Sequence, residues 1–342
     1  MDKPDLLQIC PYDTPPFREI LRAHSAAAAL LGWRTQTVFL HSPDARVDAS
    51  PEVGDRFYME GPDDPAGIHH LRRQQPQKLV LYHRYRSFRV ARRAGLRAPH
   101  EALVAHEFGM LGSAWRRLRL RLQARGLRLV GVSPPVARHM NTRWLLPNGL
   151  IPHEQDRWRV ARHTARAHLG VGQQELVIGV LGRLHGKKNL ELALRGFADF
   201  LSSYDADARL LFIGDGPRRV PLQRAIQERG LQDRVRLAGF VPNANRYLKA
   251  LDVLLFPATR VEAFGMGALE AMLAEVPVVA GPAEGPAWVL GERAHYFADY
   301  EAELIGAALL DAVRSPITGR ERALQEFTPE RLAGYLESLV QG

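Results

Sequence analysis

The sequence predicts an α/β protein of two parallel-sheet domains facing a cleft. Three observations carry that expectation. Short apolar runs alternate with helix-like stretches in two series, one before and one after residue 150. A turn signal, Pro147-Asn148-Gly149, separates the series. The second series holds a strand–loop–helix stretch whose helix start carries two glycines, with glutamates before and after them.

In the first series, Leu6 to Cys10 reads as a strand and Pro11 to Phe17 as a loop. Ile20 to Leu31 is an Ala-rich helix, and Thr35 to Leu40 is a β-branched strand. Strand, helix, strand in that order implies a parallel sheet. Ser42 to Gly67 is polar and rich in Pro, Asp and Gly, so a loop is expected, with a weak strand near Phe57 and Tyr58. Lys78 to Tyr82 leads into His83. Arg84 to Leu96 is a basic helix. Ala102 to Ala105 ends at His106, and Leu127 to Val132 ends at Ser133. Two histidines and a serine after strand ends lie where parallel α/β sheets bind ligands. A lone histidine there is more often a surface or core residue without a role.

Between these strands, Leu111 to Gly126 places Leu111, Trp115, Leu118 and Leu122 on one helical face and five arginines over much of the rest. One apolar stripe serves equally a helix packed on the sheet and a helix lying on anionic lipid. The expectation is packing for the stripe and membrane contact for the basic surface. After the turn at Gly149, His153 to His163 is polar and reads as a linker.

The second series begins at Leu176. Val177 to Leu181 is a strand, Gly182 to Lys188 a basic loop and Asn189 to Leu201 a helix. Arg209 to Ile213 is a strand that meets Gly214-Asp215-Gly216-Pro217. Leu222 to Arg229 is a helix, Val235 to Leu237 a strand and Tyr247 to Ala250 a short helix. The strand Val253 to Phe256 and the strand Val276 to Ala280 flank the glycine-marked helix. Asp299 to Val313 and Glu330 to Val340 are helical.

The stretch Val261 to Met272 organises the rest. Leu269, Met272, Leu273 and Val276 repeat at i, i+3, i+4 and i+7, so one stripe is buried. Glu270 lies off that stripe, and helical side chains lean toward their own N-terminus, so its carboxylate points back to the helix mouth. Gly265 and Gly267 keep backbone N–H groups there open to a ligand. Such a mouth welcomes an anion, yet Glu262 and Glu270 flank it. A ligand with an anionic middle and neutral hydroxyls at both ends satisfies both demands, and a nucleotide sugar has that form. A helix start with an acid before it, as the macrodipole favours, is the plain alternative. In the Gly182–Lys188 loop, Arg183 can grip phosphate oxygens in two places and Lys188 adds a point charge. Cations there can meet the charge of a departing diphosphate without a metal ion.

Composition bounds the rest. With 342 residues the chain has room for two ordinary domains, and 46% hydrophobic with 24% charged residues is globular rather than disordered. The single cysteine, Cys10, excludes an internal disulfide and suits a buried position in a reducing compartment. Met1 to Pro4 shows no signal-peptide pattern, and no run of ~18 apolar residues offers a membrane span. The net charge is +9, but residues 71–150 hold 17 Arg or Lys against only Glu101 and Glu107. That asymmetry suits an anionic partner for one face of the first half.

Taken in order, the motifs are Ala105-His106-Glu107, Val132-Ser133, Pro147-Asn148-Gly149, Gly182-Arg183-Leu184 with Lys188-Asn189, and Ile213 to Pro217. Gly239-Phe240-Val241, the pair Glu262 and Glu270, Leu269 to Met272, and Pro277-Val278-Val279 complete the set. The ordered set resembles glycosyltransferase family 4, retaining enzymes of the GT-B fold with two Rossmann-like domains. It covers nearly all of the second half and, more loosely, the chain from Lys78 onward. The resemblance implies an acceptor-side domain over residues 1–152 and a nucleotide-sugar domain over 153–325. The terminal helix, 326–342, would cross back to the first domain. It implies that Arg183 and Lys188 bind the donor pyrophosphate and stabilise the leaving group, and that Glu270 holds the ribose diol. Glu262 and the backbone of Phe264, Gly265, Met266 and Gly267 would hold sugar hydroxyls and phosphate. His106 would meet the sugar's reacting end, and the backbone at Gly239 and Phe240 the base. No bound metal and no cofactor are implied beyond the donor.

Three departures stand out. Asp13-Thr14-Pro15-Pro16-Phe17 replaces a Gly-Gly loop, Ala263 follows Glu262 where Gly is common, and Gly281 to Gly285 departs from the family's Gly-Gly and acid. The expected activity is a metal-independent hexosyl-type glycosyltransferase, with a UDP-sugar favoured over a GDP-sugar. The expected acceptor is a glycan or glycolipid of the bacterial envelope, such as a lipopolysaccharide core. The expected location is cytoplasmic, with peripheral contact at the inner membrane's cytoplasmic face. The alternatives are a sugar-nucleotide epimerase of the same architecture and a non-catalytic module that binds anionic surfaces. No nucleic-acid-binding motif is present, so no nucleic-acid partner is expected.

Overall fold

The computed structural model describes residues 3–41, 55–111, 126–204 and 207–342. It divides into two compact units, Met1–Ile151 with Gln325–Gly342, and Pro152–Leu324. Residues 112–125 of the expected helix and residues 42–54, the first half of the expected polar loop, lie outside the described residues.

The first unit is a seven-stranded parallel sheet. Its strands are β1 (Leu6–Cys10), β2 (Thr35–Phe39), β3 (Asp55–Tyr58), β4 (Leu79–His83), β5 (His100–Ala105), β6 (Leu127–Gly131) and β7 (Trp144–Leu145). They lie in the order β3-β2-β1-β4-β5-β6-β7. Every residue of β1 and β4 is buried, as expected for central strands covered on both faces. Helix Phe17–Leu30 packs against the C-terminal helix Pro329–Gln341. Leu332, Leu336 and Leu339 of that last helix are fully buried, and Leu150 N–H donates to Phe327 O at 3.0 Å. The chain order reverses between β1 and β4, which opens a crevice beyond their carboxyl ends.

The second unit repeats this logic with six parallel strands. They are β8 (Leu176–Leu181), β9 (Ala208–Ile213), β10 (Val235–Gly239), β11 (Val253–Phe256), β12 (Val278–Ala280) and β13 (His295–Tyr296). The order is β10-β9-β8-β11-β12-β13, so the reversal falls between β8 and β11. Helices Leu190–Ser203 and Ala302–Arg314 pack on each other, with Phe197, Phe200, Phe212, Leu255, Ile305 and Leu309 in the core beneath them.

Several elements differ from expectation. A helix, Pro65–Gln74, begins inside the expected loop. Asp64 caps it by accepting from Ala66 N–H at 3.0 Å, and Pro65 sits at the first helical position. The expected linker His153 to His163 contains helix Pro152–Trp158 and the start of helix Arg162–Leu169. Its polar groups find distant partners: the Asp156 carboxylate accepts from Arg320 at 3.0 Å, and the Trp158 backbone carbonyl accepts from Arg246 at 2.9 Å. Short helices Pro134–His139, Glu284–Leu290 and Arg320–Glu326 also go beyond the expectation. The glycine-marked helix is Met266–Leu273, so Val276 falls past its end while staying buried.

Candidate active site

The crevice of the second unit is built by the loops that leave β8 and β11. After β8 comes Gly182, then Arg183 to His185, a 3-10 turn Gly186–Lys188 and helix Leu190–Ser203. After β11 come Pro257 to Phe264, then Gly265 and helix Met266–Leu273. The two loops are tied together. Thr259 N–H donates to Lys187 O at 3.0 Å, and Asn189 Nδ2 donates to Pro257 O at 2.9 Å. Lys188 Nζ lies 3.4 Å from Glu262 Oε2 and 4.5 Å from the centre of the Phe256 ring. Two residues 74 positions apart in sequence are thus partners across the sheet's switch point.

Neighbouring loops brace this arrangement. Gly182 N–H donates to Ile213 O at 3.0 Å, and Gly214 N–H donates to Gly239 O at 2.8 Å. A Cβ on Gly214 would stand 2.1 Å from Gly182 O, and its φ of +141° also favours glycine. Only a residue without a side chain lets these two turns touch. Gly265, at φ +95°, turns the chain into the helix. The first N–H bonds into that helix run from Ala268 and Leu269 to Gly265 O. The N–H groups of Met266 and Gly267 precede this ladder and are the orphans of a helix start.

The side chains follow from these positions. Arg183 is exposed, and Lys188, Glu262 and Glu270 are half-buried. Phe264 is buried and meets Trp288 edge to face, with ring centres 6.1 Å apart. Phe240 is 58% exposed directly after Gly239. His185 Nδ1 accepts from Lys187 N–H at 3.2 Å. Burial, followed by the charges of Lys188, Lys187 and Arg183, holds its pKa below the usual histidine value. The loop therefore presents cations beside a neutral imidazole. An anion at the helix mouth would draw on Arg183 and would compete with Glu262 for Lys188.

His106 belongs to the first unit. It follows β5, is half-buried, and places Nε2 3.0 Å from His83 Nδ1 at the end of β4. The Phe17 ring meets it edge to face at 5.0 Å, and the Arg84 guanidinium covers Phe17 at 5.1 Å. Burial, then the nearby His24 and Arg84, pushes the His106 pKa down to about 3. The loop Asp13 to Phe17 turns inward. Arg18 Nε donates to buried Asp13 Oδ1 at 2.8 Å, and Tyr58 OH donates to Asp13 Oδ2 at 2.6 Å. Sequence reading missed this ion pair and missed His24, because both sit inside an Ala-rich helical pattern or a Pro-rich turn. The spacing of Asp13 and Arg18 across a helix start was the available signal.

Residues 161–328 match a family model described as "Glycosyl transferases group 1". The 2-deoxystreptamine glucosyltransferase of Streptomyces kanamyceticus is 42% identical over 106 residues, 30% of this chain and 27% of that protein. The lipopolysaccharide core biosynthesis glycosyltransferase LpsD of Rhizobium meliloti (strain 1021) is 34% identical over 134 residues, 39% of this chain and 37% of that protein. The matches thus span well under half the length of these relatives. The crystal structure of Anabaena HepE in complex with UDP-glucose superposes with a TM-score of 0.75, covering 99% of each chain at 18% identity. That likeness fixes the fold, which is the expected GT-B class of two parallel-sheet α/β domains.

Proposed function

We propose, from the match of residues 161–328 to the group 1 glycosyl transferases, that this chain moves a sugar from a nucleotide donor onto a growing envelope glycan. The observation that carries the reading is the meeting of two loops at the switch point of the second unit. The loop of Arg183 and Lys188 supplies cations; the loop of Glu262 to Gly267 supplies a carboxylate and helix-start N–H groups. Such cations and N–H donors suit a diphosphate, and the carboxylate suits the hydroxyls beside it.

In this reading the diphosphate lies against Arg183, Lys188 and the N–H groups of Met266 and Gly267. As the glycosidic bond to phosphate breaks, negative charge grows on the diphosphate. Arg183 and Lys188 oppose it, which is where the rate enhancement arises. Glu270 accepts from the ribose diol and Glu262 from sugar hydroxyls. The base lies at Gly239 and Phe240, and the resemblance assigns His106 to the transferred sugar. The resemblance adds retention at the anomeric carbon and no need for a bound metal. The UDP-glucose held by HepE supports a UDP-sugar donor, and the core-biosynthesis role in the name of LpsD supports a lipopolysaccharide-type acceptor.

The test is a thermal-shift panel of UDP, GDP, ADP and their sugar conjugates without added metal, with wild type beside Glu270→Ala. One nucleotide should raise the melting temperature of the wild type by several degrees near a hundredfold its Kd. The variant should lose that rise. If no nucleotide shifts either protein, the donor reading fails and the anionic-surface module replaces it. Membrane contact is part of the same proposal, resting on the 17 Arg or Lys of residues 71–150. It predicts sedimentation with anionic but not neutral vesicles at low salt. Among the described residues, no helix is long and apolar enough to cross a membrane.

A further inference from the structure

Three histidines from separate elements lie in a row inside the first unit. His106 follows β5, His83 ends β4 and His24 sits in helix Phe17–Leu30. His24 and His83 are fully buried. Burial lowers the pKa of His24 to about 4 and that of His106 to about 3, and that of His83 well below the usual value. At neutral pH each ring is therefore neutral, with one N–H and one lone pair.

The far end of the row has a fixed polarity. His24 Nε2 lies 3.3 Å from Pro147 O. A carbonyl can only accept, so His24 carries its proton on Nε2 and its Nδ1 holds a lone pair. His24 Nδ1 and His83 Nε2 are both buried without a hydrogen-bond partner among the described residues. The bonded pair His83 and His106 has ring centres 5.3 Å apart at 29°. The pair His24 and His83 stands almost the same way, at 5.6 Å and 22°. Each of these two adjacent rings thus holds one orphan nitrogen, and each orphan is the partner the other lacks. Leaving both unpaired would instead cost the desolvation of two buried polar atoms.

We propose that His106, His83 and His24 form one directed hydrogen-bonded chain, His106 Nε2–H to His83 Nδ1, His83 Nε2–H to His24 Nδ1, and His24 Nε2–H to Pro147 O. The Pro147 carbonyl sets the direction, and each ring passes it on, because the nitrogen that accepts fixes the proton on the other. His106 is left with a bare Nδ1. It meets a ligand as a neutral hydrogen-bond acceptor, suited to a sugar hydroxyl and unsuited to a phosphate oxygen. His83 and His24 are positioning residues for that nitrogen. The ligand in this statement rests on the reading above that His106 contacts the transferred sugar; the chain itself does not.

The experiment is long-range proton–nitrogen NMR of the full protein with 15N-labelled histidine at neutral pH, assigned by single substitutions. All three rings should carry the proton on Nε2. A proton on Nδ1 of His83 or His106 overturns the proposal. His24→Leu removes the acceptor at the far end, so His106 should become a mixture of tautomers although its own contacts are intact. His24→Asn returns an acceptor oxygen and should restore the single tautomer. An unchanged His106 spectrum in His24→Leu also overturns the chain. If His24→Leu does not fold, the wild-type spectrum still decides. His106→Ala in a sugar-transfer assay tests the separate reading. Normal transfer there, with the tautomers as stated, removes the sugar contact and leaves the chain standing.

Discussion

At the scale of single residues, the candidate site is a matter of which charge faces which. Glu262 and Lys188 neutralise one another at 3.4 Å, while Arg183 stands exposed. Arg183 is thus the cation most available to charge that develops during bond breaking. Arg183→Ala should lower turnover by roughly 10²–10³ with donor affinity less affected. A near-normal kcat in a transfer assay would remove it from the leaving-group role. The buried histidines make a different prediction. His24, held near a pKa of about 4, binds fewer protons folded than unfolded between that value and the ordinary histidine value. Its contribution to stability is present above pH ~6.5 and is lost as pH falls toward its folded pKa, at about 1.4 kcal/mol per pH unit. Urea unfolding at pH 7 and pH 5 should show the midpoint falling, before most carboxylates titrate. A flat profile would mean that the rings take up protons in the folded protein as readily as in the unfolded chain.

Elements are held by buried groups far from the candidate site. Arg166 of helix Arg162–Leu169 is fully buried. It donates to Gly172 O at 2.9 Å, Gln173 O at 2.8 Å, Glu175 O at 2.9 Å, Ala250 O at 3.1 Å and Asp252 Oδ2 at 2.7 Å. Asp252 also accepts from Val177 N–H at 2.7 Å, at the start of β8. One side chain therefore ties a helix to the entrances of β8 and β11, whose exits carry the candidate site. Arg166→Met keeps an apolar stem but leaves several buried carbonyls without a donor. It should cost about 3–5 kcal/mol, read by chemical denaturation, and an effect below ~1 kcal/mol would show that water replaces the guanidinium.

At the scale of the molecule, the chain makes two units and its last residues complete the first. The helix Pro329–Gln341 buries three leucines against helix Phe17–Leu30. Burial stabilises by about 1.5–3 kcal/mol for each such side chain. Truncation after Glu326 should therefore unfold the first unit at lower denaturant while the second keeps its own transition. Hydrogen exchange would show the difference: faster exchange in β1, β2 and β4 and unchanged protection in β8 and β9. Equal loss in both units would contradict that division of the chain.

Much of this was legible beforehand because it is written in local order. Apolar runs such as Val253 to Phe256 form strands wherever they are covered, and a glycine pair marks where a helix can start. The two α/β units and the residue types gathered at the helix mouth follow from that. The linker was misread because its polar residues look solvated until Arg320 and Arg246 arrive from elsewhere in the chain. The same is true of Asp13, which the sequence places in an open loop and the fold buries against Arg18 and Tyr58. Strand order, the pairing of Lys188 with Glu262 and the alignment of His24, His83 and His106 were decided only by tertiary structure. The physical reason is range. Backbone periodicity is set by neighbours a few residues away, whereas a buried charge or ring nitrogen takes whichever partner the packed sheet brings within 3–4 Å, at any distance along the chain.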